Sequence, residues 1–212
     1  MRAILFHVSN TNMKLATASR SYAQRARAQS TEATGQRIVD AFLARLMKQW
    51  FDEITLDHVA GDAGVTVQTV VRRFGGKEGL LTNAVQTLAP QIRAQRAAPP
   101  GEIDRLVENL VADYEKTGDA VIRLLALEPR YHALKSVLEF GRTEHRQWVS
   151  GAFAELLNKL DGTARQRALD ALIIVTDVYT WKLLRRDMAR SVQATAATMK
   201  NLLQATITEY SN

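Results

Sequence analysis

The sequence contains no cysteine, which excludes disulfide cross-links and thiolate metal sites alike. Proline and glycine are scarce, at 4 and 11 in 212 residues, and this suits long uninterrupted helices. No apolar run approaches the roughly 20 residues that span a bilayer. The stretch Ala3-Ile4-Leu5-Phe6 is too short even for a signal-peptide core. The reading is a cytoplasmic chain with no membrane partner. The histidines His7, His58, His132 and His145 form no His-x-x-x-His or Glu-x-x-His pair, so no metal or other cofactor is expected. Gly75-Gly76-Lys77 lacks the earlier glycine and the following Ser or Thr of a phosphate loop, and no Gly-x-Ser-x-Gly elbow occurs. These absences leave no catalytic residues to name and argue against an enzyme.

Acidic residues are missing altogether from residues 1–31, which carry Arg2, Lys14, Arg20, Arg25 and Arg27. Ser, Thr, Asn and Ala fill much of the remainder without an apolar period, so this segment reads as a mostly disordered basic arm. Such an arm, or a start placed ahead of Met13, explains the composition better than an organellar transit peptide. Residues 1–96 hold 13 Lys/Arg against 7 Asp/Glu, whereas residues 97–212 hold 15 of each. The whole net charge of +6 therefore resides in the first part of the chain. A basic end joined to a neutral body fits either a polyanion contacted by that end or a solvated basic surface with no partner.

From Glu32 onward the pattern is helical. Ile38, Phe42, Leu46 and Trp50 recur every four residues as one amphipathic stripe. In the next block, 55–74, Thr55 can cap a short helix that buries Leu56, Val59, Ala60 and Ala63. Gly64 sits where that helix must turn. Thr66 can cap a second short helix, Val67–Arg73, whose Val70 and Phe74 face inward; Gly75-Gly76 ends it, and Lys77 begins a further helix reaching about Arg96. Two short helices joined by a glycine turn form a helix-turn-helix, a geometry that serves either as plain structural packing or as a DNA reader whose second helix fits the major groove. Val67, Gln68, Thr69 and Arg72 are the candidates for base contacts. Gln68 can pair with adenine, Thr69 and Val67 can pack on thymine methyl groups, and Arg72 can reach guanine. Thr55, Thr66, Arg73 and Lys77 are placed against the phosphate backbone.

Residues 32–92 resemble the DNA-binding domain of TetR/AcrR-type transcriptional regulators. The resemblance rests on Ile38-Val39-Asp40-Ala41, on Ile54-Thr55-Leu56-Asp57-His58-Val59-Ala60, and above all on Ala63-Gly64-Val65-Thr66-Val67-Gln68-Thr69-Val70. Arg72, Phe74-Gly75 and Lys77-Glu78-Gly79-Leu80-Leu81 complete it. It implies a homodimeric repressor that binds a palindromic double-stranded operator and answers to a small-molecule effector. The resemblance also puts Val71 beside the phosphate backbone, at a position where the family usually has a phosphate-binding Tyr and where Val cannot make that bond; Arg73 departs from the family's His, and Gly76 from a capping Ser. Gly61 inside the first motif helix disfavours it by about 1 kcal/mol relative to Ala.

Ala97-Ala98-Pro99-Pro100-Gly101 breaks the chain. Beyond it, residues 102–212 read as a larger helical bundle, with helices expected near 102–117, 119–128, 131–159, 162–187 and 191–209. The expected fold is thus all-α, a three-helix helix-turn-helix domain followed by a dimerisation and ligand-binding domain. The segment 168–181 is apolar nearly all round and must be covered on more than one side. Leu169, Leu172, Ile173, Val175, Thr176 and Tyr179, with Met199 and Leu203 of the last helix, are the expected dimer interface. Tyr114, Tyr131, His132, Phe140, His145 and Trp148 are the candidate pocket residues, fitting an effector without strong charge. The alternative is a helical protein that binds a membrane or partner through its basic arm.

Overall fold

The computed structural model describes the backbone of residues 9–211 and the side chains of residues 28–211. Helices account for all of its regular structure, and no strand occurs among the described residues. The expected all-α class is what the chain adopts.

Helix α1 runs from Ser9 to Leu46. The arm expected to lack regular structure over residues 9–31 continues this helix instead. No glycine or proline interrupts residues 9–34, and Ala, Arg and Gln are strong helix formers; residues 1–8 lie outside the described residues. Ile38, Phe42 and Leu46 are buried as one stripe, but Trp50 leaves it. The helix has ended by then, and Trp50 stands exposed at the start of a 3-10 turn, Phe51–Glu53.

Helices α2 (Leu56–Ala63) and α3 (Val67–Phe74) form the expected pair. The Thr55 hydroxyl accepts the His58 N–H at 3.3 Å, and Thr66 Oγ1 accepts the Thr69 N–H at 3.3 Å. Gly64 closes α2 at φ 64°, a left-handed conformation that a side chain would strain. Helix α4 (Lys77–Arg96) then leads into the second half.

That half begins with α5 (Ile103–Leu127), one helix where two are expected. Gly118 does not break it. A Cβ there would sit 2.5 Å from the Trp181 ring, so glycine is what lets the two elements approach. Next come α6 (His132–Ala152) and the short α7 (Ala154–Leu157). The long helix expected over 162–187 is divided into α8 (Gly162–Thr176), α9 (Val178–Lys182) and one π-helical turn, Leu183–Asp187. Asp177 makes the break by capping α9, its carboxylate accepting the Tyr179 N–H at 2.8 Å. Helix α10 (Val192–Ser211) closes the chain.

Two apolar cores result. One gathers Phe42, Phe51, Ile54, Val59, Val70 and Leu80 from the first half, and also Leu124, Leu127, Leu134 and Val137 from α5 and α6. It therefore crosses the boundary that the Pro-Pro-Gly break marks in the chain. The other joins α5, α6, α8, α9 and α10 around Tyr114, Trp181, Leu172, Met199 and Leu203.

Candidate functional site

Helix α3 rests on the first core through Val70, which is fully buried, with Val67 and Phe74 beside it. The opposite side is open. Gln68, Val71 and Arg72 are exposed, and Arg72 has no ion-pair partner among the described residues. Three of the expected DNA-facing side chains thus share one outward face. Thr69 is half-buried, and its hydroxyl shares a 3.0 Å hydrogen bond with that of Thr66. Thr55 and Thr66 are exposed, each with its side-chain oxygen occupied as a helix cap.

Arg73 and Lys77 stand differently. Arg73 lies over Gly35 of α1, pairs with Glu32 at 3.3 Å, and stacks against Phe74. Lys77 turns away from the α3 face. Its Nζ donates to Phe51 O and Ile54 O, each at 2.9 Å, and to Asp52 O at 3.4 Å, while sitting 4.5 Å from the Phe51 ring centre. All three ammonium protons are engaged by the protein, and burial holds this amine below the usual lysine range. The expectation of Lys77 as a phosphate ligand is corrected accordingly. The signal that was missed is spatial: its acceptors are 23 to 26 residues away in sequence.

A cavity of about 410 Å³ lies where α1, α4, α5, α6, α8 and α9 meet. Leu43, Leu88, Leu124, Val137, Phe140 and Trp148 supply much of its wall. Of the expected pocket residues, Tyr114, Phe140, His145 and Trp148 line it, and Tyr131 and His132 do not. The Tyr131 ring packs edge-on against Phe51 at 6.2 Å, and His132 is exposed at the start of α6. Both sit one helical turn or more before the stretch of α6 that reaches the cavity.

The polar end of this cavity is tightly organised around Arg96. Its Nε donates to the buried Asp113 at 2.7 Å, and its guanidinium lies over the Tyr114 and Trp148 rings at 4.9 and 5.6 Å. Arg96 Nη1 stands 3.4 Å from His145 Nδ1, and His145 Nε2 stands 3.1 Å from the Thr176 hydroxyl. The Tyr114 hydroxyl donates to the Thr176 carbonyl at 2.9 Å. Burial, reinforced by the Arg96 charge, pushes the His145 imidazole down to about 4, so it is neutral at pH 7.

The expected dimer interface is largely internal. Leu172, Val175, Thr176, Met199 and Leu203 are buried within the chain, and Ile173 lines the cavity. Leu169 is half-buried against the second core. Only Tyr179 is well exposed, at 56%. The physical reason is packing within the chain: α8 and α10 bury these side chains against α5, α6 and α9 in the second core. The exposed large apolar residues on these elements are Ile174, Tyr179, Leu183, Met188, Val192 and Leu202. The other exposed large apolar residues among those described are Trp50 and Val71.

Among the described residues, no helix is long and apolar enough to cross a membrane, and no group of His, Asp and Glu could hold a metal ion.

No family model and no curated protein matches the chain. Solved structures do. A TetR-family transcriptional regulator of Streptomyces coelicolor superposes with a TM-score of 0.61 at 16% identity, over 82% of this chain and 79% of that one. A transcriptional regulator of Rhodococcus sp. Rha1 gives 0.64 at 12% identity, over 82% and 96%. The fatty acid degradation regulator FadR of Bacillus halodurans gives 0.51 at 19% identity, over 80% and 93%. The chain thus has the fold of TetR-family transcriptional regulators, an N-terminal helix-turn-helix joined to a helical C-terminal domain.

Proposed function

We propose that this protein is a DNA-binding transcriptional regulator of the TetR type, a homodimeric repressor that reads a palindromic operator and releases it on binding a small molecule. The observation that carries this reading is the outward face of α3. Gln68, Val71 and Arg72 project from a short helix whose N-terminus is capped and whose inner side is locked by Val70. A rigid, narrow rod with polar and cationic tips suits a major groove. The excess positive charge of the first 96 residues supplies the sequence-independent attraction.

Dimerisation is supported by the exposed large apolar residues Ile174, Tyr179, Leu183, Met188, Val192 and Leu202, six of the eight such residues among those described, all in the last part of the chain. A two-fold axis there would present two α3 helices to two half-sites. The effector role rests on the cavity. Leu43 and Leu46 of α1, with Met47 just beyond it, form part of its wall, and α1 also packs on α2 and α4 of the helix-turn-helix unit. A ligand that favours one placement of α1 would bias the spacing of the recognition helices.

Selection of fragments bound by the purified protein from genomic DNA tests the reading. Enrichment of a palindromic sequence is the expected outcome. Gln68→Ala should then weaken binding to that sequence by about 1–3 kcal/mol and hardly alter binding to random DNA. Absence of enrichment at low salt would reject it.

A further inference from the structure

The cavity wall carries several charges, and almost all are already matched. Arg96 pairs with Asp113, Arg93 with Glu144 at 2.7 Å, and Arg142 with Glu128. Asp177 is different. It lines the cavity, and among the described residues it has no cationic partner. Its side chain takes part in a 2.8 Å hydrogen bond in which Oδ1 accepts the Tyr179 N–H. Aromatic rings of Phe140, Trp148 and Tyr179 contribute to the same wall.

Resting on the reading of this cavity as the effector site, we propose that it takes an apolar organic cation whose positive group pairs with Asp177. A carboxylate in a largely apolar cavity needs a counter-charge, and the arginines around it are held by other carboxylates. Burial raises the Asp177 carboxyl above the usual aspartate range, although the Tyr179 N–H and the more distant charges of Arg142 and Arg96 act to lower it. Aromatic faces favour the same sign of ligand through their negative π-clouds. A carboxylate ligand would instead meet Asp177 across a low-dielectric space. Arg146, exposed and also in the wall, is the one cation there without a carboxylate partner among the described residues, and it is the natural competitor for an anion.

The test titrates the full chain, without DNA, against octylamine, octanoate and 1-octanol by calorimetry at neutral pH. Octylamine should bind at least about tenfold more tightly than the other two, the gain of a charge-assisted pair. Asp177→Asn keeps the oxygen that caps α9, so the variant should fold, and it should lose the preference for the amine while still binding octanol. Octanoate binding as well as or better than octylamine overturns the proposal, as does failure of all three to bind. An amine preference that survives Asp177→Asn overturns the assignment to that residue. Because no DNA is present, a negative result here leaves the operator-binding reading standing, and a failure to select an operator leaves this result unaffected.

Discussion

At Lys77 three backbone carbonyls converge on one ammonium, and the consequence is a structural side chain where position alone suggests a DNA ligand. Lys77→Ala should lower stability by about 1–3 kcal/mol, because buried carbonyls lose a charged donor. The salt dependence of DNA binding should stay as in the parent protein. A salt slope flattened by about one unit would restore Lys77 to the phosphate contacts. His145 gives a second prediction at this scale. The folded chain keeps it neutral down to about pH 4, while the unfolded chain protonates it near its ordinary 6.5. The unfolded state therefore binds more protons in this window, and stability falls as pH drops through it. The loss attributable to His145 reaches roughly 3 kcal/mol near the lower end. Arg96 and Asp177 face the same region, and Glu115 and Asp119, held below the usual carboxylate range by Arg185 and Arg186, also lose stabilisation in acid. Denaturant titrations of parent and His145→Gln across pH 4–7 isolate the histidine by difference. Parallel curves would show that it contributes nothing.

At the scale of elements, the two motif helices follow local rules that any reader of the chain can apply. A Thr at each N-cap, a Gly at the turn and inward residues four apart specify α2 and α3 without reference to the remainder of the protein. The elements after residue 102 are less transparent. Gly118 resembles a helix breaker, but α5 passes straight through it because Trp181 occupies the space that a side chain would fill. Gly118→Ala should consequently destabilise the protein by about 1–3 kcal/mol, despite the better intrinsic helix propensity of alanine. A gain in melting temperature would show that the Trp181 contact yields easily. In the opposite sense, Asp177 sits in an apolar run that reads as continuous helix, and it breaks that run by capping α9. Aspartate competes with the helix for backbone N–H groups, but whether it prevails depends on how Tyr114 and Thr176 satisfy the freed backbone nearby.

For the whole molecule, the shared core matters most. Leu124, Leu127, Leu134 and Val137 complete the packing around Phe42 and Val70, and Arg123 Nη2 donates to the Leu46 carbonyl at 3.0 Å at the end of α1. A fragment ending at Arg96 should therefore fail to fold cooperatively, and the intact chain should unfold in a single transition. A sharp melt of that fragment by circular dichroism would contradict this. The proposed dimer is tested at Ile174, which is 65% exposed, rather than at the buried Val175. Ile174→Glu should yield a folded monomer in sedimentation velocity, with operator affinity sharply reduced. An intact dimer would move the interface elsewhere.

The amino-acid order alone determined the helical class, the two capped motif helices with their glycine turn, and Gln68, Val71 and Arg72 as the outward face of α3; Val67 and Thr69, also expected to face outward, are partly buried. These features depend on residues within a few positions of one another, and periodicity reports them directly. Only the tertiary structure decided that Lys77 is consumed internally, that Tyr131 stays out of the cavity, and that Ile174 rather than Val175 reaches the surface. A helix apolar on every side carries no mark of which side meets its own domain, and the acceptors for a distant cation are set by packing between segments far apart in the chain.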